Sequence, residues 1–171
     1  MRTLVIGLGN PLLTDDGVGC RVAARLREDL DALAGRDDVE IEEASVGGLS
    51  LMERMVGFDR AIVVDATRSG VAPGSVRRLD PSGLPTQHSA SGHDVNLATA
   101  LELGRRLGAP LPDDDAIVLV GIEAADVATF GERCTPRVEA AIPKAAAEVA
   151  ALLAESPEEP AEDRPPRSRG K

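Results

Sequence analysis

Three short runs show no polar alternation: TLVIG at 3–7, AIVV at 61–64 and AIVLV at 116–120. A strand that is apolar on both faces needs cover on both faces, and parallel sheets layered between helices provide it. Between the runs the period changes. Val18, Val22, Leu26, Leu30 and Leu33 fall on one helical stripe; Thr14 can cap this helix, with Asp15 and Asp16 in its first turn. VEIEEA at 39–44 alternates and suits a half-exposed edge strand. Residues 49–56 form a short helical segment, and 74–79 a weaker strand after the Pro73-Gly74 turn. Residues 93–107 predict a helix with Ser91 and Asp94 spaced as a capping box. Residues 136–153 predict a last helix, kinked at Pro143. The expected fold is therefore a three-layer α/β sandwich, a central and mostly parallel sheet of about five strands flanked by helices. A strand order of 2-1-3 makes the first and third strands neighbours, and the crevice at their carboxyl ends is the expected ligand site.

The 171 residues fit a single domain, read here as residues 1–154. Residues 155–171, ESPEEPAEDRPPRSRGK, carry four of the 12 prolines and no apolar period, which reads as a disordered tail. The 19 basic and 29 acidic residues leave a net charge of −10, the wrong sign for a nucleic-acid surface. With two Phe, no Trp and no Tyr, a base-stacking platform is excluded and the core must rest on aliphatic side chains. Two cysteines make no disulfide framework, and Cys20 falls within an apolar pattern as a small buried thiol. Met1-Arg2-Thr3 leads straight into a strand, and no apolar run approaches the roughly 18 residues of a membrane span. A cytoplasmic monomer without leader or membrane contact is expected.

The loop GLGNPLLTDDGVG at 7–19 is glycine-rich but lacks the GxGxxG spacing, and Asp15 and Asp16 would repel a pyrophosphate. The simplest account of the two acids is favourable placement in a helix first turn. Asp65 ends an apolar strand, where a carboxylate is costly unless paired or bound to a cation. The two histidines are His88, in a loop between Gly83 and Gly92, and His93, at the expected start of a helix. Imidazole serves as a neutral metal ligand and as a general base. Asp16, Asp65 and His93 together make a donor set suited to a borderline divalent cation such as Ni²⁺, Zn²⁺ or Mn²⁺. Three protein ligands leave coordination positions open for a carbonyl or a water. A GxSxG elbow, an HExxH helix and a CxxC pair are all absent from the sequence.

At these residues the chain resembles the hydrogenase maturation proteases, endopeptidases that trim the C-terminus of the large subunit of nickel-iron hydrogenases. The segments that carry the resemblance are VIGLGNPLLTDDGVG (5–19), IVVDATRSGVAPGSVRRLD (62–80), SGHDVNLATALELGRRLG (91–108), IVLVGIE (117–123) and GERCTPRVEAAI (131–142). The tail lies outside it. The resemblance implies an α/β sandwich and a site of three metal-contacting, catalytic residues, which fall here on Asp16, Asp65 and His93; Asp15 ranks second to Asp16. It also implies that nickel arrives already inserted in the hydrogenase large-subunit precursor, so that cleavage checks metal loading. Two departures stand out: Ala124 follows Glu123 in place of the GIEP-like stretch, and Cys134 occupies a Leu-like position. VIGLGNP also looks like the opening of the peptidyl-tRNA hydrolases, but LLTDDGVG follows it and the charge opposes tRNA. A metal- or subunit-binding maturation chaperone that does not cut, or another peptidase with its own metal, needs the same ligands.

Overall fold

The computed structural model describes residues 1–32, 37–79 and 96–155. The three apolar runs are β1 (Thr3–Leu8), β3 (Arg60–Thr67) and β5 (Ile117–Glu123), each buried along most of its length. The alternating segment is β2 (Val39–Ala44), and the weaker strand is β4 (Val76–Leu79). They form one sheet in the order β2-β1-β3-β5-β4. The first four in that order run parallel; β4 closes the far edge antiparallel to β5. The sandwich, the 2-1-3 order and the edge position of β2 agree with the pattern of the sequence.

Strand alternation divides the core into two layers. Val5, Ile62, Val64, Val120 and Ile122 face α1 (Val18–Ala32) and α5 (Ile142–Ala154), packing on Val22, Leu26, Val149 and Leu152. Leu4, Ile6, Ala61, Val63 and Leu119 face α2 (Gly48–Arg54) and α3 (Leu97–Arg106), packing on Leu51, Met52, Leu97 and Leu101. Each fully buried aliphatic side chain of this kind contributes about 1.5–3 kcal/mol, so the core needs no aromatic residues. The exposed edge is marked with charge. β2 turns Glu42 and Glu43 to opposite faces, where Arg54 of α2 and Arg27 of α1 bind them.

Three helix boundaries differ from the pattern. α1 begins at Val18, so Asp15 and Asp16 precede the helix and no acid stands in its first turn. The reason is tertiary: residues 10–14 are held by the 126–131 segment through Thr14 N–H to Thr129 O at 3.0 Å and Thr14 Oγ1 to Asp126 O at 2.6 Å. α3 begins at Leu97, capped by the Asn96 side chain accepting from Thr99 N–H at 2.9 Å; the Ser91–Asp94 capping box lies outside the described residues. The last helix is two pieces, α4 (Pro136–Glu139) and α5, broken at residues 140–141, with Pro143 in the first turn of α5 rather than at an internal kink. At its far end Arg60 donates to the Leu152 carbonyl at 2.7 Å and the Glu155 carbonyl at 3.2 Å, closing α5. No helix among the described residues is long and apolar enough to cross a membrane.

Candidate active site

β1 leaves the sheet at Leu8 and turns at Gly9, whose φ of 134° favours glycine. A Cβ there would lie 1.8 Å from the Asp16 carbonyl oxygen, so only glycine lets the loop fold back on itself. Across the closed loop, Asn10 N–H donates to Asp16 Oδ2 at 2.7 Å and fixes the half-buried carboxylate. Gly19, in the first turn of α1, is equally confined: a Cβ would meet the Leu8 and Val64 carbonyl oxygens at 2.3 Å each. The start of α1 therefore rests directly on the carboxyl ends of β1 and β3. Asp16 lies three residues before this contact and Asp65 one residue after Val64. Asp16 thus follows the carboxyl end of β1 and Asp65 lies near that of the neighbouring β3, at the switch point of the sheet. Asp65 pairs in register with Gly121 of β5 and is 3 % exposed. Alternation with Ala61 and Val63 puts it on the face that α3 covers.

His93 and His88 lie outside the described residues. Among the described residues no three His, Cys, Asp or Glu side chains stand close enough to hold a metal ion.

Asp15 and Asp16 are adjacent in sequence and differ in use. Asp15 is 0 % exposed. Its Oδ2 accepts from Ala125 N–H at 2.8 Å, Asp126 N–H at 2.9 Å and Thr135 Oγ1 at 2.9 Å, and its Oδ1 from Thr135 N–H at 2.6 Å. Four donors occupy the carboxylate. It is a clamp between the β1–α1 loop and the 125–135 segment, which corrects the reading of Asp15 as a helix-dipole residue. The sequence gives no sign of this role, since the partners lie at least 110 positions away.

Glu123, at the end of β5, is a second clamp that the sequence pattern did not single out. It accepts from Ser69 N–H and Gly70 N–H at 2.7 Å each, Ser69 Oγ at 2.8 Å and Thr67 Oγ1 at 3.1 Å. Burial pushes its carboxyl pKa up, but the bonds from Ser69, Gly70 and Thr67 pull it down further, and the net shift is downward. A folded-state pKa below the unfolded value of about 4.3 stabilises the fold above that pH, and the stabilisation fades as pH falls through the folded value. Glu123→Gln is expected to cost about 1–3 kcal/mol near neutrality. Thermal melts of both proteins from pH 7 downward check this: the gap in Tm closes as the wild-type carboxyl protonates.

Neither cysteine is poised as a nucleophile. Burial, with help from Glu43, raises the Cys20 thiol to about 11, and its Sγ points at the Gly7 and Gly9 carbonyls. Burial also raises Cys134, against the pull of Arg21, and its Sγ points at the Thr14 carbonyl.

The hydrogenase maturation protease family model matches residues 20–152. The chain is 34% identical to the hydrogenase 2 maturation protease of Escherichia coli strain K12 over 159 residues, covering 91% of this chain and 93% of that protein. The chain belongs to the hydrogenase maturation protease family. Its fold agrees with the solved structure of the hydrogenase maturating endopeptidase HybD from Escherichia coli at a TM-score of 0.70 and 31% identity, over 90% of this chain and 93% of that one. It agrees with the solution structure of an Escherichia coli endopeptidase at a TM-score of 0.72 and 32% identity, over 90% and 92%. As a maturation protease this chain is a hydrolase that cuts polypeptide. That assignment also removes the peptidyl-tRNA hydrolase reading of VIGLGNP.

Proposed function

We propose that this maturation protease removes the C-terminal extension of the large-subunit precursor of a nickel-iron hydrogenase, after nickel has been inserted. The nickel is part of the substrate. Asp16, Asp65 and His93 are the residues that meet it, and they also carry the catalysis, as in an aspartyl-type or metal-dependent endopeptidase. The observation that supports this reading is the position of Asp16 and Asp65 at the carboxyl ends of the neighbouring strands β1 and β3, on which the start of α1 rests. The neighbouring acids Asp15 and Glu123 serve as clamps, each accepting four hydrogen bonds.

Carboxylates and one imidazole suit a borderline divalent ion, and fewer than four protein ligands leave room for those of the precursor. A precursor without nickel offers the set nothing to bind, so an unloaded subunit escapes cutting. The protein works as a monomer in the cytoplasm.

Intact mass spectrometry of a nickel-loaded precursor mixed with this protein tests the reading. Loss of a short C-terminal peptide is expected, and no loss from the nickel-free precursor. An unchanged mass together with a stable complex on gel filtration would overturn cleavage in favour of a binding-only chaperone.

A further inference from the structure

A peptide group orients the Asp16 carboxylate, and that peptide is itself held from behind. Asn10 N–H, which donates to Asp16 Oδ2 at 2.7 Å, belongs to the peptide that joins Gly9 to Asn10. The peptide is trans, so its C=O and N–H point in opposite directions. Its carbonyl, Gly9 O, therefore faces away from the acid. Two donors meet it there. Ser45 Oγ donates at 2.7 Å, and Cys20 Sγ points at the same oxygen from 3.4 Å. The hydroxyl makes the stronger bond. The thiol is a weak donor, and it also points at Gly7 O at 3.5 Å.

The sheet fixes the place of Ser45. β1 and β2 pair in register up to Leu8 and Ala44, and Gly9 N–H donates to the Ala44 carbonyl at 3.0 Å. Ser45 is the next residue, so the end of β2 sets its hydroxyl against Gly9. The Gly9–Asn10 peptide has no such intrinsic restraint. With φ at 134°, Gly9 sits where glycine passes readily between wells. A turned peptide would withdraw its N–H from Asp16 and bring a carbonyl dipole toward the carboxylate. The Ser45 hydroxyl favours the orientation in which the N–H meets the acid. Hydrogen bonds on the two ends of one peptide also strengthen each other, by about 10–30% per bond.

We propose that Ser45 is a positioning residue for the proteolytic reaction: its hydroxyl fixes the Gly9–Asn10 peptide, and the Asn10 N–H of that peptide holds the Asp16 carboxylate in its working orientation. The inference rests on the reading of Asp16 as an active-site acid. Ser45 acts through the peptide alone, since its hydroxyl bonds Gly9 O and not the acid. Cys20 does not replace it, because a thiol at 3.4 Å restrains the carbonyl less than a hydroxyl at 2.7 Å.

The test uses the full chain with Ser45→Ala, which removes the hydroxyl, and Ser45→Thr, which keeps one. Ser45 is exposed, so both variants fold. Ser75→Ala is the control; it removes an equivalent bond, from Ser75 Oγ to Ala72 O at 2.6 Å, in the turn before β4. The first readout needs no substrate. Hydrogen exchange of the Asn10 amide, followed by NMR, is expected to quicken about tenfold in Ser45→Ala and to stay at the wild-type rate in Ser45→Thr and Ser75→Ala. The second is steady-state cleavage of a nickel-loaded hydrogenase large-subunit precursor. Ser45→Ala is expected to lower kcat about tenfold with KM within about twofold, and Ser45→Thr to restore it. An unchanged kcat in Ser45→Ala overturns the proposal, whether or not the exchange quickens. A loss that Ser45→Thr does not restore, or that Ser75→Ala matches, overturns it as well. A loss of kcat without faster exchange at Asn10 shows that Ser45 does not act through this peptide. A wild type that leaves the nickel-loaded precursor uncut sinks the proposed function and the catalytic use of Ser45 with it, while the exchange at Asn10 still decides whether the hydroxyl holds the peptide.

Discussion

Asp65→Asn is expected to lower cleavage of the nickel-loaded precursor by about 10²-fold or more while the melting temperature holds or rises. The substitution keeps the shape of a side chain that is 3 % exposed and removes its charge. Asn keeps an acceptor oxygen in the same place, and enzymes keep buried acids of this kind for function rather than for stability. Loss of activity with retained stability therefore separates a site acid from a structural one. Asp16→Asn is expected to lose cleavage to a similar degree; its amide oxygen can still accept the Asn10 N–H, so the loop remains closed. His93→Ala is expected to abolish processing in a folded protein, and His88→Ala to leave processing nearly unchanged. The mass of the precursor over time, read beside a thermal melt of each variant, checks all four. If His93→Ala unfolded the chain, its assignment to the site would fail.

The sheet was legible because its rule is local. Continuous apolar runs bounded by turns read as strands covered on both faces, and VEIEEA as an edge, so the order 2-1-3 followed from patterns a few residues long. Helix starts were less legible, because a cap competes with partners elsewhere. Thr14 reads as a cap for α1, yet its hydroxyl goes to the Asp126 carbonyl, and the helix waits until Val18. Ser91 and Asp94 have the capping-box spacing, yet Asn96 caps α3. The use of each acid was least legible. Asp15, Asp16 and Glu123 look alike in sequence, and only donors distant in the chain reveal Asp15 and Glu123 as clamps.

The clamp has the opposite signature. Asp15→Ala is expected to destabilise the protein by about 3–5 kcal/mol, because removing one carboxylate strands three backbone N–H groups and the Thr135 hydroxyl in a buried place. At about 2–4 °C per kcal/mol for a chain of this size, the melting temperature falls by about 10 °C. Asp15→Asn is expected to be nearly as damaging. An amide presents one acceptor and one donor, so whichever way it turns, its NH₂ meets an N–H that the carboxylate accepted. The β1–α1 loop and the 125–135 segment both hang from this carboxylate, so its loss also frees the loop that carries Asp16. Asp→Asn at two buried acids of the same protein thus gives opposite results, a lower melting temperature at position 15 and an equal or higher one at position 65. Differential scanning calorimetry of the two variants measures that difference directly. A melting temperature for Asp15→Asn equal to that of the wild type would show that the four hydrogen bonds are not what joins the two loops.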